Sequence, residues 1–175
     1  EGEDDVRFFG RVMKPLLVPH YDAVEILTYA SIRRQKVNNF FKSMNQMRTE
    51  YILVADIDME RSVRDKKQLL YHWYPDINGG NIIVVIREIE SWYYAGLPDS
   101  TLQKLGLPVL LSTDDLTKED FNALIPHSFD SRIDFMFEIL KTFSPATAAR
   151  RNHSFQYFFE RYHLEDPAAF PSQIP

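Results

Sequence analysis

An α/β fold built on a mostly parallel sheet of about four strands is what this sequence predicts, and three observations lead there. Tyr51–Ala55 and Ile82–Ile86 are short continuous apolar runs, the composition of strands buried on both faces. Each run leads into a segment of helical character, so strand, helix, strand and helix follow one another through short links. Acidic residues stand at or just past the ends of both runs: Asp56 and Asp58 after the first, Glu88 and Glu90 after the second. Parallel sheets carry their chemistry beyond the carboxyl ends of their strands.

Composition sets the outer bounds. A chain of 175 residues suits one domain with a real hydrophobic core. Its apolar share of 45% and charged share of 26% are ordinary globular values, so disorder is not expected. Without cysteine there are no disulfides and no thiolate metal sites, which is compatible with a cytoplasmic protein. The apolar runs are too short to cross a bilayer and no signal-peptide pattern opens the chain, so no membrane partner is expected. The formal net charge of −5 removes the easy argument for nucleic acid, which usually meets a basic surface. Carboxylates gathered at a metal site nevertheless attract phosphate once cations bind.

The elements follow in order. Residue 1 is Glu and is followed by Gly2 and a helical pattern. An α/β domain normally places a strand before such a turn, so a strand upstream of Glu1 is expected; an engineered or processed start is the alternative. Val6, Phe9, Met13 and Leu16 or Leu17 recur at helical spacing, and Pro15 and Pro19 bracket the helix end. Glu3, Asp4 and Asp5 complement the dipole in its first turn. Val24–Tyr29 reads as a strand. Val37, Phe40, Phe41, Met44 and Met47 mark a second helix, with a basic outer face from Arg33, Arg34 and Lys36. A polar helix over roughly Ser62 to Tyr74 is closed by Pro75-Asp76 and the Asn78-Gly79-Gly80 turn. The run at Ile82–Ile86 continues into Arg87 and a helix to Gly96.

Residues 98–175 read as a helical extension packed on the sheet domain of residues 1–97. Thr117 caps a helix there, with Asp120 closing the box and Leu116 stapling onto Phe121. Ile133, Met136, Phe137, Leu140 and Phe143 form one stripe. Phe155, Phe158, Phe159 and Tyr162 form another, capped by Asn152 or Ser154. Three prolines make the tail Asp166–Pro175 irregular.

Three acidic groups are candidates for chemistry. If the strand stays extended, Asp56 and Asp58 point the same way about 6.6 Å apart, close enough to call for a cation such as Mg²⁺. The alternative is that one Asp caps the next helix while the other is solvated. In Glu1-Gly2-x-Asp4-Asp5, Gly2 permits a tight turn that brings a carboxylate to the sheet edge; the alternative is dipole compensation at a frayed terminus. Glu88 and Glu90 share a face beyond the later strand if the backbone is extended, and otherwise one is a solvated first-turn residue. Arg87 pairs with these carboxylates or binds phosphate. Arg150-Arg151 is a solvated pair or a contact to a nucleic-acid backbone. The five histidines show no zinc spacing, and there is no Walker or Gly-x-Gly-x-x-Gly loop.

A Glu-Gly-x-x-Asp turn opening a helix, followed about fifty residues later by a strand ending in Asp-x-Asp, resembles the TOPRIM family of topoisomerases, bacterial primases and OLD-type nucleases. The resemblance covers roughly residues 1–97 and implies a Rossmann-like core. The Glu88-Ile89-Glu90-Ser91-Trp92 segment is further similar to small stand-alone bacterial TOPRIM-like proteins, many uncharacterised, as is the Asn152-His153-Ser154-Phe155 helix start. The resemblance implies a metal centre of Glu1, Asp56 and Asp58, with Glu88 or Glu90 completing a second site or activating the attacking water. It implies Mg²⁺, with Mn²⁺ able to substitute, and a DNA or RNA substrate. The expected function is therefore a Mg²⁺-dependent phosphodiester-cleaving enzyme with Glu1, Asp56, Asp58 and Glu90 as ligands. The alternative is a non-catalytic module binding a protein or nucleic-acid partner in a defence or toxin-type system.

Overall fold

The computed structural model describes residues 2–164. Glu1 and the Asp166–Pro175 tail therefore lie outside the described residues. The fold is mixed α/β, mostly helical, around a small parallel sheet.

The sheet has β1 (Leu53–Asp56) beside β2 (Ile82–Val85), in the register Leu53 to Ile82 through Asp56 to Val85. Alternation along β2 divides the interior. Ile82 and Val84 face one apolar cluster with Leu53 and Ala55 of β1, while Ile83 and Val85 face the other. Both faces are covered, which is why all four β2 residues are apolar and buried.

On the first face lie α3 (Arg34–Met47) and α4 (Val63–Trp73), which contribute Val37, Phe41 and Leu70. Ser62 caps α4 by accepting from the Asp65 N–H at 3.1 Å. The second face carries the larger core. The chain enters through α1 (Glu3–Phe8), passes a π turn over Phe9–Met13 and continues as α2 (Lys14–Leu17). Pro15 explains the widened turn: it cannot donate to the carbonyl of Arg11, and its ring crowds that carbonyl. Lys14 accordingly bonds back to Phe9, five residues earlier.

Beyond β2 come α5 (Ile89–Ala95), α6 (Asp99–Leu105), α7 (Lys118–Ala123), α8 (Arg132–Thr142), α9 (Pro145–Arg151) and α10 (His153–Arg161). Thr117 and Asp120 form the expected box at α7, and Asn152 caps α10 by accepting from the Phe155 N–H. Phe8, Trp92, Phe155 and Phe158 pack their rings together, so α1, α5 and α10 share one core.

Three expectations need correction. Among the described residues the sheet has two strands, fewer than the four of the expected core. Val24–Tyr29 is not a strand, because it joins no backbone ladder. Its apolar residues are used differently: Val24 packs against the larger core, and the Tyr29 hydroxyl donates to the Val54 carbonyl at 3.2 Å. Apolar and β-branched composition fits a half-buried surface as well as a strand. The α8 stripe is also rotated, burying Phe135, Met136, Ile139 and Leu140 while Ile133 and Phe137 stay exposed. No helix among the described residues is long and apolar enough to cross a membrane.

Candidate functional site

A cavity of about 300 Å³ opens at the carboxyl ends of the parallel strands. The first turn of α1 contributes Gly2, Glu3, Asp4 and Asp5; the end of β1 contributes Asp56; the start of α5 contributes Glu88 and Glu90; α7 contributes Lys118. Segments far apart in sequence thus place acidic side chains on one rim.

Each segment has a local reason for its position. Gly2 is extended, and its N–H donates to the Asp5 carboxylate at 2.9 Å, which closes the start of α1. The Asp4 carbonyl accepts from the buried Tyr93 hydroxyl at 2.9 Å, tying α1 to α5. Asp4's carboxylate pairs with Arg7 and Arg132. Asp56 ends β1, and pairing continues one residue further as the Ile57 N–H donates to the Val85 carbonyl at 2.9 Å. Glu1 precedes Gly2 but is itself outside the described residues.

Asp58 takes a different course. Its φ of +53° is left-handed, so the chain turns there and the extended Asp56–Asp58 geometry is not realised. Its carboxylate, half exposed, pairs with the ammonium of Lys66, which is only 1% exposed. A lysine so deeply buried requires a carboxylate, and Asp58 supplies it. Asp58 is not part of the cavity wall.

Glu88 and Glu90 do not share an extended face either. Glu88 is the extended residue before α5, and Glu90 already lies in its first turn. Glu88 accepts from the Lys118 backbone N–H at 2.9 Å. Glu90 is buried, with Arg132 Nη1 at 3.1 Å and Lys118 Nζ at 3.7 Å. Burial pushes its carboxyl pKa upward, Glu88 and Asp5 push the same way, and Lys118 opposes them.

Arg87, in a left-handed conformation, reaches Asp115 at 3.5 Å and not the two glutamates. Arg151 donates to the Leu97 carbonyl at 2.6 Å and pairs with Asp99, so it ties α9 to the start of α6.

Lys118 and Arg132 are the site residues that sequence reasoning missed. The Thr117 cap placed Lys118 at a helix start, but no local pattern links a lone basic residue to a glutamate 28 positions earlier. Among the described residues, no group of three His, Asp or Glu side chains stands assembled to hold a metal ion. Compared with known proteins, the chain matches no family model, no curated protein and no solved structure.

Proposed function

We propose that the chain is a Mg²⁺-dependent phosphodiester-cleaving enzyme of the cytoplasm, acting on DNA or RNA, with a TOPRIM-like carboxylate site. The observation that carries this reading is the convergence of Asp56, Glu88 and Glu90 on one cavity at the carboxyl rim of the parallel strands.

The donor chemistry fits the ion, since Mg²⁺ prefers oxygen ligands from a few carboxylates with water completing the shell. Asp56 and Glu88 would hold it once drawn together from their present places, with Glu1, which precedes Gly2 of the cavity wall, as the further ligand the resemblance implies. Asp58 joins the set only by giving up Lys66. When bound, the ion supplies Lewis-acid stabilisation of phosphate charge and a lower pKa for attacking water. The protein's own groups divide the remaining work. Burial raises the proton affinity of Glu90, making it better suited than an exposed glutamate to take a proton from water near neutral pH. Arg132 orients that carboxylate at 3.1 Å and links it to Asp4.

One observation favours the second reading, a non-catalytic binding module: Arg132 and Lys118 already neutralise part of the acidic wall. Two measurements separate the readings. Cleavage of plasmid, single-stranded DNA and RNA with Mg²⁺ or Mn²⁺ is compared for wild type, Asp56→Asn and Glu88→Gln. The catalytic reading expects a loss of at least about a hundredfold in the variants, and equal cleavage by all three overturns it. Melting temperature with and without Mg²⁺ is the second readout, because an ion bound to the folded state must raise it. The rise should vanish in Asp56→Asn.

A further inference from the structure

Lys118 is the one basic residue in the cavity wall, among the described residues. Its neighbour Arg132 is fully engaged, one arm on Glu90 and the other on Asp4, with a side chain 24% exposed. Lys118 differs in each respect. Its side chain is 43% exposed, and its ammonium meets Glu90 at 3.7 Å, beyond hydrogen-bond range. An ammonium carries three donors, so most of its capacity is available. The base of the residue is nevertheless fixed, because its backbone N–H donates to Glu88 at 2.9 Å.

From this contrast we infer that Lys118 is the site's substrate contact, its ammonium gripping a non-bridging oxygen of the phosphate group to be cleaved. The inference rests on the phosphodiester reading of the same cavity. A wall of carboxylates repels a polyanion, and a cation held loosely beside them offers the phosphate a favourable point of entry. A lysine recognises phosphate as a point charge, without the bidentate geometry of arginine. The contact therefore reads the backbone and carries no base preference. A purely structural role for Lys118 would be to neutralise Glu90. Arg132 already does so at shorter range, 3.1 Å against 3.7 Å, and a Lys118 that only neutralised Glu90 would show itself in melting temperature rather than in substrate affinity.

The test uses the full chain as wild type, Lys118→Met, Lys118→Arg and Asp56→Asn. Binding of a short fluorescein-labelled phosphorothioate single strand is measured with Ca²⁺ over a range of salt, alongside melting temperature and Mn²⁺-dependent cleavage. Lys118→Met should weaken binding about tenfold and reduce the slope of log Kd against log salt by about 0.7, the loss of one phosphate contact. Lys118→Arg should restore most of the affinity, and the melting temperature should not move. If Lys118→Met binds as wild type does while Asp56→Asn has lost cleavage, the contact is overturned and the phosphodiester reading stands. A wild type that binds but cleaves nothing, with weaker binding in Lys118→Met, keeps the contact and removes the catalytic reading. Wild type that neither binds nor cleaves overturns both. A lower melting temperature in Lys118→Met with unchanged affinity assigns the residue to structure.

Discussion

The indole N–H of Trp92 donates to the hydroxyl of Ser154 at 2.8 Å, across 62 positions of sequence, and that hydroxyl donates in turn to Asn152 Oδ1 at 2.7 Å. Ser154 also accepts from the Ile86 backbone N–H at 3.2 Å, so one oxygen joins the end of β2, the middle of α5 and the cap of α10. Asn152 completes the set through Ser91 and Thr113. The Glu88-x-Glu90-x-Trp92 and Asn152-His153-Ser154-Phe155 segments are thus two halves of one buried clasp, with Glu88 at the cap and Glu90 in the first turn of the helix it holds.

Removing Ser154 leaves the buried Trp92 donor without this partner and takes an acceptor from the part-buried Ile86 N–H. An unsatisfied buried donor costs about 1–3 kcal/mol, so Ser154→Ala should lower stability by about 2 kcal/mol or more in urea unfolding. Ser154→Ala combined with Trp92→Phe should cost less than the two single changes added together, since the second change removes a donor already stranded. Strict additivity would show that the bond contributes nothing.

Lys66 and Asp58 should respond unequally to substitution. Lys66 is buried and Asp58 is 57% exposed at its side chain, so Asp58→Asn strands a buried ammonium that solvent reaches only from the carboxylate side, and should cost about 2 kcal/mol. Asn tolerates the left-handed backbone at this position, which isolates the lost charge. Asp58→Ala adds strain of about 1 kcal/mol. Lys66→Met replaces a buried charge by an apolar chain of similar length and should be neutral or stabilising. Chemical denaturation of the three variants decides it, and a larger loss for Lys66→Met than for Asp58→Ala would contradict this account.

Glu90 makes stability depend on pH. Burial raises its carboxyl above the ordinary value of 4.5, with its own backbone N–H and Lys118 opposing. A raised acid holds its proton more tightly in the folded chain than in the unfolded one. Its contribution to stability is therefore fully present below the unfolded value and is lost as pH rises through the folded value. Unfolding free energy of wild type relative to Glu90→Gln should increase as pH falls from neutral towards 4.5. Parallel profiles for the two proteins would mean that Arg132 cancels the effect of burial.

The sequence carried local signals faithfully and long-range ones poorly. The Thr117–Asp120 box, the α10 cap at one of its two candidates, Asn152 or Ser154, and the helix from Ser62 to Tyr74 were legible because caps and helical spacing are local signals. The acidic residues of the rim were legible because strand ends in a parallel sheet are predictable places for chemistry. Val24–Tyr29 was misread because apolar composition cannot say whether a backbone ladder is waiting for it. The Asp56-x-Asp58 spacing was misread for another reason. Lys66, eight residues further on, draws the second aspartate away, and nothing in the spacing marks that lysine as buried. Lys118 and Arg132 were invisible as site residues because their role exists only once α7 and α8 pack beside α5.

Gly96 offers a test of how tightly the helical segment after residue 97 is bound to the sheet side of the core. It ends α5, and its carbonyl accepts from the Ser144 N–H at 2.8 Å, where α8 hands over to α9. A Cβ at this position would stand 2.1 Å from the Phe143 ring. That ring packs edge-on against Phe8 and Phe155, so it cannot retreat without moving α1 and α10. Gly96→Ala should therefore destabilise by about 1–3 kcal/mol, the usual cost of overpacking a well-filled core. The backbone conformation at Gly96 is ordinary right-handed helix, so the loss cannot come from strain in φ. The double variant Gly96→Ala with Phe143→Leu should recover part of it, because the smaller side chain vacates the space that Cβ needs. Failure of Phe143→Leu to relieve any of the loss would place the conflict elsewhere than at this contact.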